Sequence, residues 1–184
     1  IYRRAFRVGD RVKIEDHVGD ITESRLLVTH LRTPKNEEIV IPNSIILNNS
    51  VVNYSTLARE GRLILHTTVG IGYETPWRQV EAMLLEAAAR TEGVLREPKP
   101  FVLQKQLGSF DVAYEINVYC GDAQAMNRLY TQLHRNILDQ FNEYGVQIMT
   151  PAYEGDPEQL KVVPRDQWYA APASRAPADA SPPV

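Results

Sequence analysis

The side chains that most often carry chemistry are few in this sequence and stand far apart. A metal centre needs three or four ligands at short, regular spacing. Only His17 has an acid three residues on, Asp20, and that pair lies in a predicted turn with no third ligand nearby. The histidines and the single cysteine are His17, His30, His66, His134 and Cys120. They predict no catalytic group, no metal site and no bound cofactor, and Cys120, in a strand-like context, is expected to be a buried structural thiol.

Two further patterns resemble binding loops only superficially. Residues 69–73 read VGIGY and precede a predicted helix with Thr75 as N-cap and Pro76 at its first position. A dinucleotide fingerprint needs a third glycine, and proline removes an N–H group that a phosphate would bind. We interpret these residues as the close-packed end of a strand. Asp16 and Asp20 flank a turn without further ligands at calcium-loop spacing, and are interpreted as solvated acids.

Composition narrows the class of protein. The formal net charge of -3 argues against a dedicated nucleic-acid binder, which would carry a basic excess. Neither a secretory signal nor an apolar run of about 18 residues, long enough to span a bilayer, is present in the sequence. Because the chain opens with Ile1 rather than methionine, we expect a fragment or a processed product of a longer protein.

The basic residues Arg3, Arg4, Arg7 and Arg11 cluster near the start of the chain. Three interpretations stay open from the sequence alone: a solvated end, a segment lying just beneath a membrane, and a nucleic-acid contact. The third is the weakest, because few aromatic residues are interleaved and the remainder of the chain is acidic.

The first third of the chain predicts a compact arrangement of strands. Val12 and Ile14 alternate with charged residues after the turn at Gly9 and Asp10, and residues 21–33 form a long strand candidate. Five short strands in so few residues predict a small, strongly bent sheet or barrel. A core of that size is marginal alone and tends to depend on a neighbour.

Residues 38–55 read EIVIPNSIILNNSVVNYS and predict strand, break and strand. Pro42 cannot donate a hydrogen bond and should end the ladder there. Asn43 and Ser44 are expected to bond the local backbone and cap a short turn over residues 45–47. Two interpretations remain open: an ordinary loop inside one barrel, or an open edge that pairs with an identical neighbour.

The second part of the chain has the order β-α-β-β-α-β, which predicts a ferredoxin-like domain. Its strands include residues 63–71, a hairpin that turns at Gly108 and Ser109, and a last short strand over residues 146–149. We divide the chain into a β-domain over residues 1–58, an α/β domain over residues 59–152 and a Pro/Ala-rich tail over residues 153–184, which is expected to be disordered. The apolar stripes of the two helices are Trp77, Val80, Met83, Leu84, Ala87 and Ala88, then Met126, Leu129, Tyr130, Leu133, Ile137, Leu138 and Phe141.

Six short stretches in this order resemble the small-conductance mechanosensitive channel (MscS) family. They are FRVGDRV at 6–12, VGDI at 18–21, LRT at 31–33, IVIPNS at 39–44, VNYS at 52–55 and VGIGY at 69–73. Each stretch is weak alone, but their order and spacing are specific and cover the chain to about residue 150. The positions that carry the family motif or its assembly are Phe6, Gly9, Asp10, Gly19, Pro42, Asn43, Ser44, Asn53 and Tyr54.

The resemblance implies an Sm-like β-barrel followed by a ferredoxin-like domain, in an α+β protein that is not an enzyme. It further implies a homo-oligomer, usually of seven copies, that encloses a cytoplasmic vestibule. Membrane helices ahead of this chain would anchor the subunit in the cell's inner membrane, and tension would open the pore to ions and small solutes during hypo-osmotic shock. Neither a nucleic-acid partner nor a cofactor is implied.

The sequence departs from the family after residue 145, where VQIMTPAYE replaces an Ile-Pro-Phe-Pro-like segment and no final barrel strand is identifiable. The alternative function is an Sm-like RNA-binding ring, which would need aromatic residues and basic loops at its lumen. An acylphosphatase-type enzyme ranks last, because Glu74 follows Gly72 and Tyr73 where an anion would have to bind.

Overall fold

The computed structural model describes residues 6–149 as a mixed α/β fold built on two antiparallel sheets. The elements in chain order are β1 Arg11–Ile14, β2 His17–Ser24, β3 Val28–Arg32, β4 Glu38–Pro42, α1 Asn43–Asn48, β5 Val51–Asn53, α2 Tyr54–Ala58, β6 Leu63–Gly72, α3 Trp77–Arg90, β7 Phe101–Leu107, β8 Asp111–Cys120, a 3₁₀ turn Ala123–Ala125 and α4 Met126–Glu143. The predicted tail over residues 153–184 lies outside the described residues.

The first sheet has five strands in the order β4-β3-β2-β1-β5. Short, alternating strands turn one face inward, so that Val12, Ile14 and Leu31 are fully buried. Within the described residues no ladder joins the outer strands β4 and β5, and each leaves one edge unpaired. The core beneath this sheet consists of Val12, Ile14, Ile21, Leu31 and Ile41, with Phe6, Ile39, Ile45, Ile46 and Val51 packed around it.

Gly19 shows why β2 and β3 can lie so close together. A Cβ atom at this position would sit 2.5 Å from the carbonyl oxygen of Arg32 and 2.5 Å from Cδ2 of Leu31. No side chain fits there without moving the neighbouring backbone, so the glycine is required by contact rather than by a special backbone angle.

The second sheet has three strands in the order β6-β8-β7, with α3 and α4 packed against it. β6 and β8 pair over ten residues, from Leu63 opposite Cys120 to Gly72 opposite Asp111. The predicted alternation along β8 is confirmed, because Val112, Tyr114, Ile116, Val118 and Cys120 are all buried. The second core is continuous and larger than the first.

The predicted helix stripes are confirmed at most of their positions. On α3 the residues from Val80 to Ala88 in the stripe are buried, and on α4 Leu129, Leu133, Ile137 and Phe141 are buried. Trp77 and Leu138 are exceptions, with 42% and 54% of their surfaces exposed. Trp77 begins α3, where no further turn covers it, and its ring instead faces the guanidinium of Arg78 at 4.2 Å.

Three local predictions are corrected by the structure. α3 begins at Trp77 after Pro76 and has no side-chain cap, so Thr75 does not act as its N-cap. The amide of Gly108 donates to the carbonyl of Asp111 at 2.7 Å, which makes Ser109 and Phe110 the two loop residues of the hairpin, one position later than predicted. Up to Met149, the predicted last strand amounts to a single bridge between Ile148 and Ile71 and one bond from Met149 to Gly70.

No helix within residues 6–149 combines the length and the apolarity needed to cross a bilayer.

Candidate functional site

The histidines and the cysteine do not form a metal-binding cluster within residues 6–149, and two of the histidines lie within bonding distance of other side chains. Nδ1 of His30 lies 2.8 Å from Glu38, and Nε2 of His134 lies 3.0 Å from the hydroxyl of Thr67. Cys120 is fully buried, as predicted, and this burial raises the pKa of its thiol, which keeps it protonated and unreactive. Between residues 6 and 149, no group of three or more His, Cys, Asp or Glu side chains is placed to hold a metal ion.

The first candidate site consists of the two open edges of the first sheet, one at β4 and one at β5. β4 and β5 occupy opposite ends of the five-stranded order, and within residues 6–149 each leaves one row of backbone donors and acceptors without a ladder partner. Val40 on β4 and Val52 on β5 are about half exposed. Apolar side chains on an open edge favour pairing with another copy, because the pairing satisfies the backbone groups and covers the valines.

Asn43 holds the end of β4 against a distant loop. Its side-chain amide donates to the carbonyls of Arg25 and Leu26, both at 2.9 Å, and its oxygen accepts from the hydroxyl of Thr29 at 2.8 Å. Its backbone N–H donates to Leu27 at 2.8 Å. The prediction that Asn43 and Ser44 cap the following turn is therefore wrong: α1 has Pro42 at its N-cap position and no side-chain cap bond.

The loop held by Asn43 presents two leucines to solvent. Leu26 and Leu27 are 91% and 75% exposed, far more than their apolar side chains would favour in an isolated copy. Since Asn43 fixes the backbone of this loop, the leucines are presented in a set position beside the β3–β4 side of the sheet.

The second feature is a polar junction between the two parts of the chain, built around Asp10. This carboxylate is almost fully buried and accepts from the backbone N–H of Arg7 at 3.0 Å, from Asn53 at 2.8 Å and from the guanidinium of Arg59. Burial by itself raises the pKa of Asp10, but the bonds from Asn53, Arg7 and Arg59, with the charge of Arg59, outweigh it. The pKa of Asp10 therefore lies below its ordinary value.

Arg11 crosses from the first sheet to the second part of the chain. Nε and Nη2 donate to the two carboxylate oxygens of Asp20 at 2.9 and 2.8 Å. Nη1 donates to the carbonyls of Ala123 and Gln124 at 3.3 and 3.0 Å. The interpretation of Asp20 as a solvated turn acid is thus wrong, and Arg11 is a buried structural cation rather than part of a solvated basic end.

Two shorter contacts complete the junction. The side-chain amide of Gln124 donates to the carbonyl of Gly9 at 3.0 Å, and the backbone N–H of Arg11 donates to the hydroxyl of Ser55 at 2.8 Å. Gly9 has φ +89°, a backbone conformation that would be strained for a residue with a side chain. Together these bonds connect β1, α2 and the turn before α4.

The structure thus groups the predicted positions into three places. Gly9, Asp10 and Asn53 meet at the junction, and Tyr54 follows as the first residue of α2, whose N-cap bond runs from the N–H of Thr56 to Asn53. Pro42, Asn43 and Ser44 lie where β4 passes into α1, with Pro42 opposite Val28 at the last pair of the ladder. Phe6 and Gly19 belong to the first core and its sheet.

The sequence did not identify Arg59 and Gln124 as members of the junction. Arg59 lies in a polar connector, and Gln124 is one amide among many in an unmarked turn. No local pattern distinguishes either residue, because their partners lie far away along the chain.

Comparison with protein families divides the chain at the same place as the two sheets. Residues 1–56 match the family described as "Mechanosensitive ion channel, beta-domain". Residues 65–148 match the family described as "Mechanosensitive ion channel MscS, C-terminal".

Curated relatives match over most of this chain but over a small part of their own length. An uncharacterised MscS family protein of Haemophilus influenzae is 27% identical over 148 residues, which is 80% of this chain and 13% of that protein. The miniconductance mechanosensitive channel MscM of Escherichia coli is 25% identical over 160 residues, 87% of this chain and 14% of that protein. The mechanosensitive channel MscK of Escherichia coli is 26% identical over 128 residues, 70% of this chain and 11% of that protein.

Solved structures share the fold. The closed-state crystal structure of Helicobacter pylori MscS superposes with a TM-score of 0.69 and 18% identity, covering 85% of this chain and 60% of that one. Arabidopsis thaliana MSL1, solved by cryo-EM, gives a TM-score of 0.55 and 17% identity, covering 80% of this chain and 54% of that one.

Proposed function

The chain belongs to the MscS family of mechanosensitive ion channels, and from that premise we propose that it forms part of the vestibule below the pore of a channel subunit. In this proposal, helices outside the chain anchor the subunit in the cell's inner membrane, and residues 6–149 lie on the cytoplasmic side. The assembled channel releases ions and small solutes when hypo-osmotic shock raises the tension of the membrane. The residues of this chain contribute assembly and a solute-filtering wall rather than catalysis.

The observation that carries the proposal is the position of β4 and β5 at opposite ends of one sheet. Identical copies related by rotation can join the β4 edge of one copy to the β5 edge of the next, and a closed ring then leaves no edge free. The valines on these strands become covered, and Pro42 ends the joined ladder because it has no N–H group. We propose a homo-oligomer of seven copies.

The finer domain description belongs to the same proposal. We assign residues 1–58 to an Sm-like barrel and residues 59–152 to a ferredoxin-like domain. The strand order of the first sheet, with α1 between β4 and β5, supports the first assignment. The order β6, α3, β7, β8 and α4, with both helices in one core, supports the second.

The polar junction has a mechanical role in this proposal. The buried bonds from Arg11 and Gln124 fix the second part of each chain relative to the first. A ring of first domains then determines where the second domains lie, so that the vestibule wall has one shape in every copy.

Native mass spectrometry of the 184-residue chain tests the assembly. We expect a seven-copy species for the unchanged chain and a shift toward monomer in Val40→Asp and Val52→Asp, because a charge on each edge strand opposes its burial. Leu138→Asp is the matched control, since Leu138 is equally exposed but lies on α4. A monomeric unchanged chain, or an equal loss of assembly in Leu138→Asp, would contradict edge pairing.

Channel activity is tested separately with the full-length gene product. Expressed in cells that lack their own mechanosensitive channels, it should restore survival after a sudden drop in osmolarity. Failure of a correctly inserted full-length protein to restore survival would contradict the proposed release of solutes, whatever the oligomeric state of the isolated chain.

A further inference from the structure

A cleft of about 760 Å³ opens between the last turns of α3 and the segment that joins α3 to β7. Its walls are mainly apolar: Leu85, Ala88 and Ala89 come from the helix, and Val94, Leu95 and Pro100 from the segment. None of the lining residues takes part in the strand edges or the polar junction, so the proposed vestibule function does not explain the cleft.

The shape of the cleft is fixed by hydrogen bonds on its far side. The backbone N–H of Leu95 donates to Tyr119 at 2.9 Å, and Val94 forms a bridge with Cys120. The hydroxyl of Thr91 donates to the carbonyl of Ala87 at 2.8 Å and accepts from Asn136 at 2.8 Å. These bonds attach the segment to β8 and the end of α3 to α4, which favours a preformed site over one that a ligand must open.

The charged residues that line the cleft are mostly cationic. Arg96 and Lys99 form no ion pair or hydrogen bond with any other residue in the range 6–149. Arg90 is already neutralised by Glu86 at 2.7 Å and Glu143 at 3.1 Å. The lining contains one acid, Glu92, against these two unpaired cations. An apolar wall with an excess of cations on its lining suits a ligand that is apolar at one end and anionic at the other.

We propose that this cleft binds an anionic amphiphile, a carboxylate head group carrying a single short alkyl chain. The alkyl chain lies against the apolar walls, and Arg96 and Lys99 hold the carboxylate. Among the described residues that line the cleft, none has an aromatic side chain on which a nucleotide base would stack, which disfavours a nucleotide as the anion.

Isothermal titration of the 184-residue chain with sodium decanoate, below the concentration at which decanoate forms micelles, tests the proposal. Saturable binding is expected for decanoate and none for acetate or decyltrimethylammonium, which lack the alkyl chain and the negative charge respectively. The double variant Arg96→Glu with Lys99→Glu should bind decanoate at least about tenfold more weakly, because two attractive charges become repulsive. A second variant, Ala89→Trp, should lose binding by filling the cleft without changing its charge.

The control is Arg128→Glu with Arg135→Glu, an identical change of charge at two exposed α4 residues that do not line the cleft. The proposal stands if this control binds decanoate like the unchanged chain while both cleft variants bind it more weakly. It is overturned if decanoate shows no saturable binding, if acetate or decyltrimethylammonium binds as well as decanoate, or if the control weakens binding as much as the cleft variant.

Discussion

Arg11 and Asp20 form a bidentate ion pair, in which Nε and Nη2 of the arginine donate to separate carboxylate oxygens at 2.9 and 2.8 Å. The pair joins β1 to β2, and the remaining guanidinium nitrogen reaches the carbonyls before α4. The buried side chain of Arg11 therefore joins two strands of the first sheet and connects that sheet to the second part of the chain.

Replacing Arg11 by methionine should lower the free energy of unfolding by about 3 kcal/mol, because Asp20 and two carbonyls lose their partner while partly or fully buried. Urea unfolding followed by circular dichroism gives this value. Arg25→Met is the control, since its ion pair with Glu23 is exposed on both sides, and no measurable loss is expected there. Similar losses in both variants would show that the buried bonds of Arg11 contribute no more to the free energy of unfolding than an exposed ion pair does.

Ionisation of Asp10 should make the free energy of unfolding depend on pH. Because its pKa is depressed in the folded chain, ionised Asp10 stabilises the fold above its ordinary pKa of 3.8, and that contribution is lost as the pH falls through the lower folded value. The unchanged chain should therefore exceed Asp10→Asn in stability by a constant amount from pH 7 to about pH 5. The difference should shrink below that range in unfolding curves recorded at successive pH values. A difference that stays constant down to pH 3 would refute the assignment.

Substituting Gly19 by alanine should cost about 2 kcal/mol or more, because the new Cβ atom meets the backbone of Arg32 at 2.5 Å and the neighbouring strands must separate. Thermal and urea unfolding measure the effect. Gly121→Ala is the matched control: its added Cβ would have Leu95 Cδ2 as its nearest atom, at 3.8 Å, and its effect should stay within about 0.5 kcal/mol. Equal effects at the two glycines would argue against close strand contact at Gly19.

Replacing Asn43 by alanine should release the loop that carries Leu26 and Leu27. The carbonyls of Arg25 and Leu26 lose their donor and the buried hydroxyl of Thr29 loses its acceptor, which predicts a loss of about 2 kcal/mol. Hydrogen exchange of the amides in residues 25–29 should accelerate, while that of the second sheet stays unchanged. Asn48→Ala, which removes one exposed bond to Ser44, is expected to leave exchange in this loop unaltered. Unchanged exchange in Asn43→Ala would refute its role in holding the loop.

The elements of this fold could be predicted from the sequence because their signals are local. The alternation of Val112, Tyr114 and Ile116 marks a strand with one buried face, and the spacing of Leu129, Leu133 and Ile137 marks a helix with one buried side. Hydrophobic periodicity reports which side of an element faces inward, and that information is complete within about ten residues. The order of short motifs also pointed to the family that the comparisons found.

Tertiary structure decided which residues meet. Arg11 has the local context of a solvated cation, yet it is buried because carbonyls at Ala123 and Gln124, more than a hundred residues later, converge on it. Asn43 has the local signature of a helix cap, yet its side-chain amide donates to carbonyls in the loop that joins β2 to β3. Polar side chains bond to whichever donors and acceptors the fold brings within about 3 Å, and sequence periodicity carries no record of those partners.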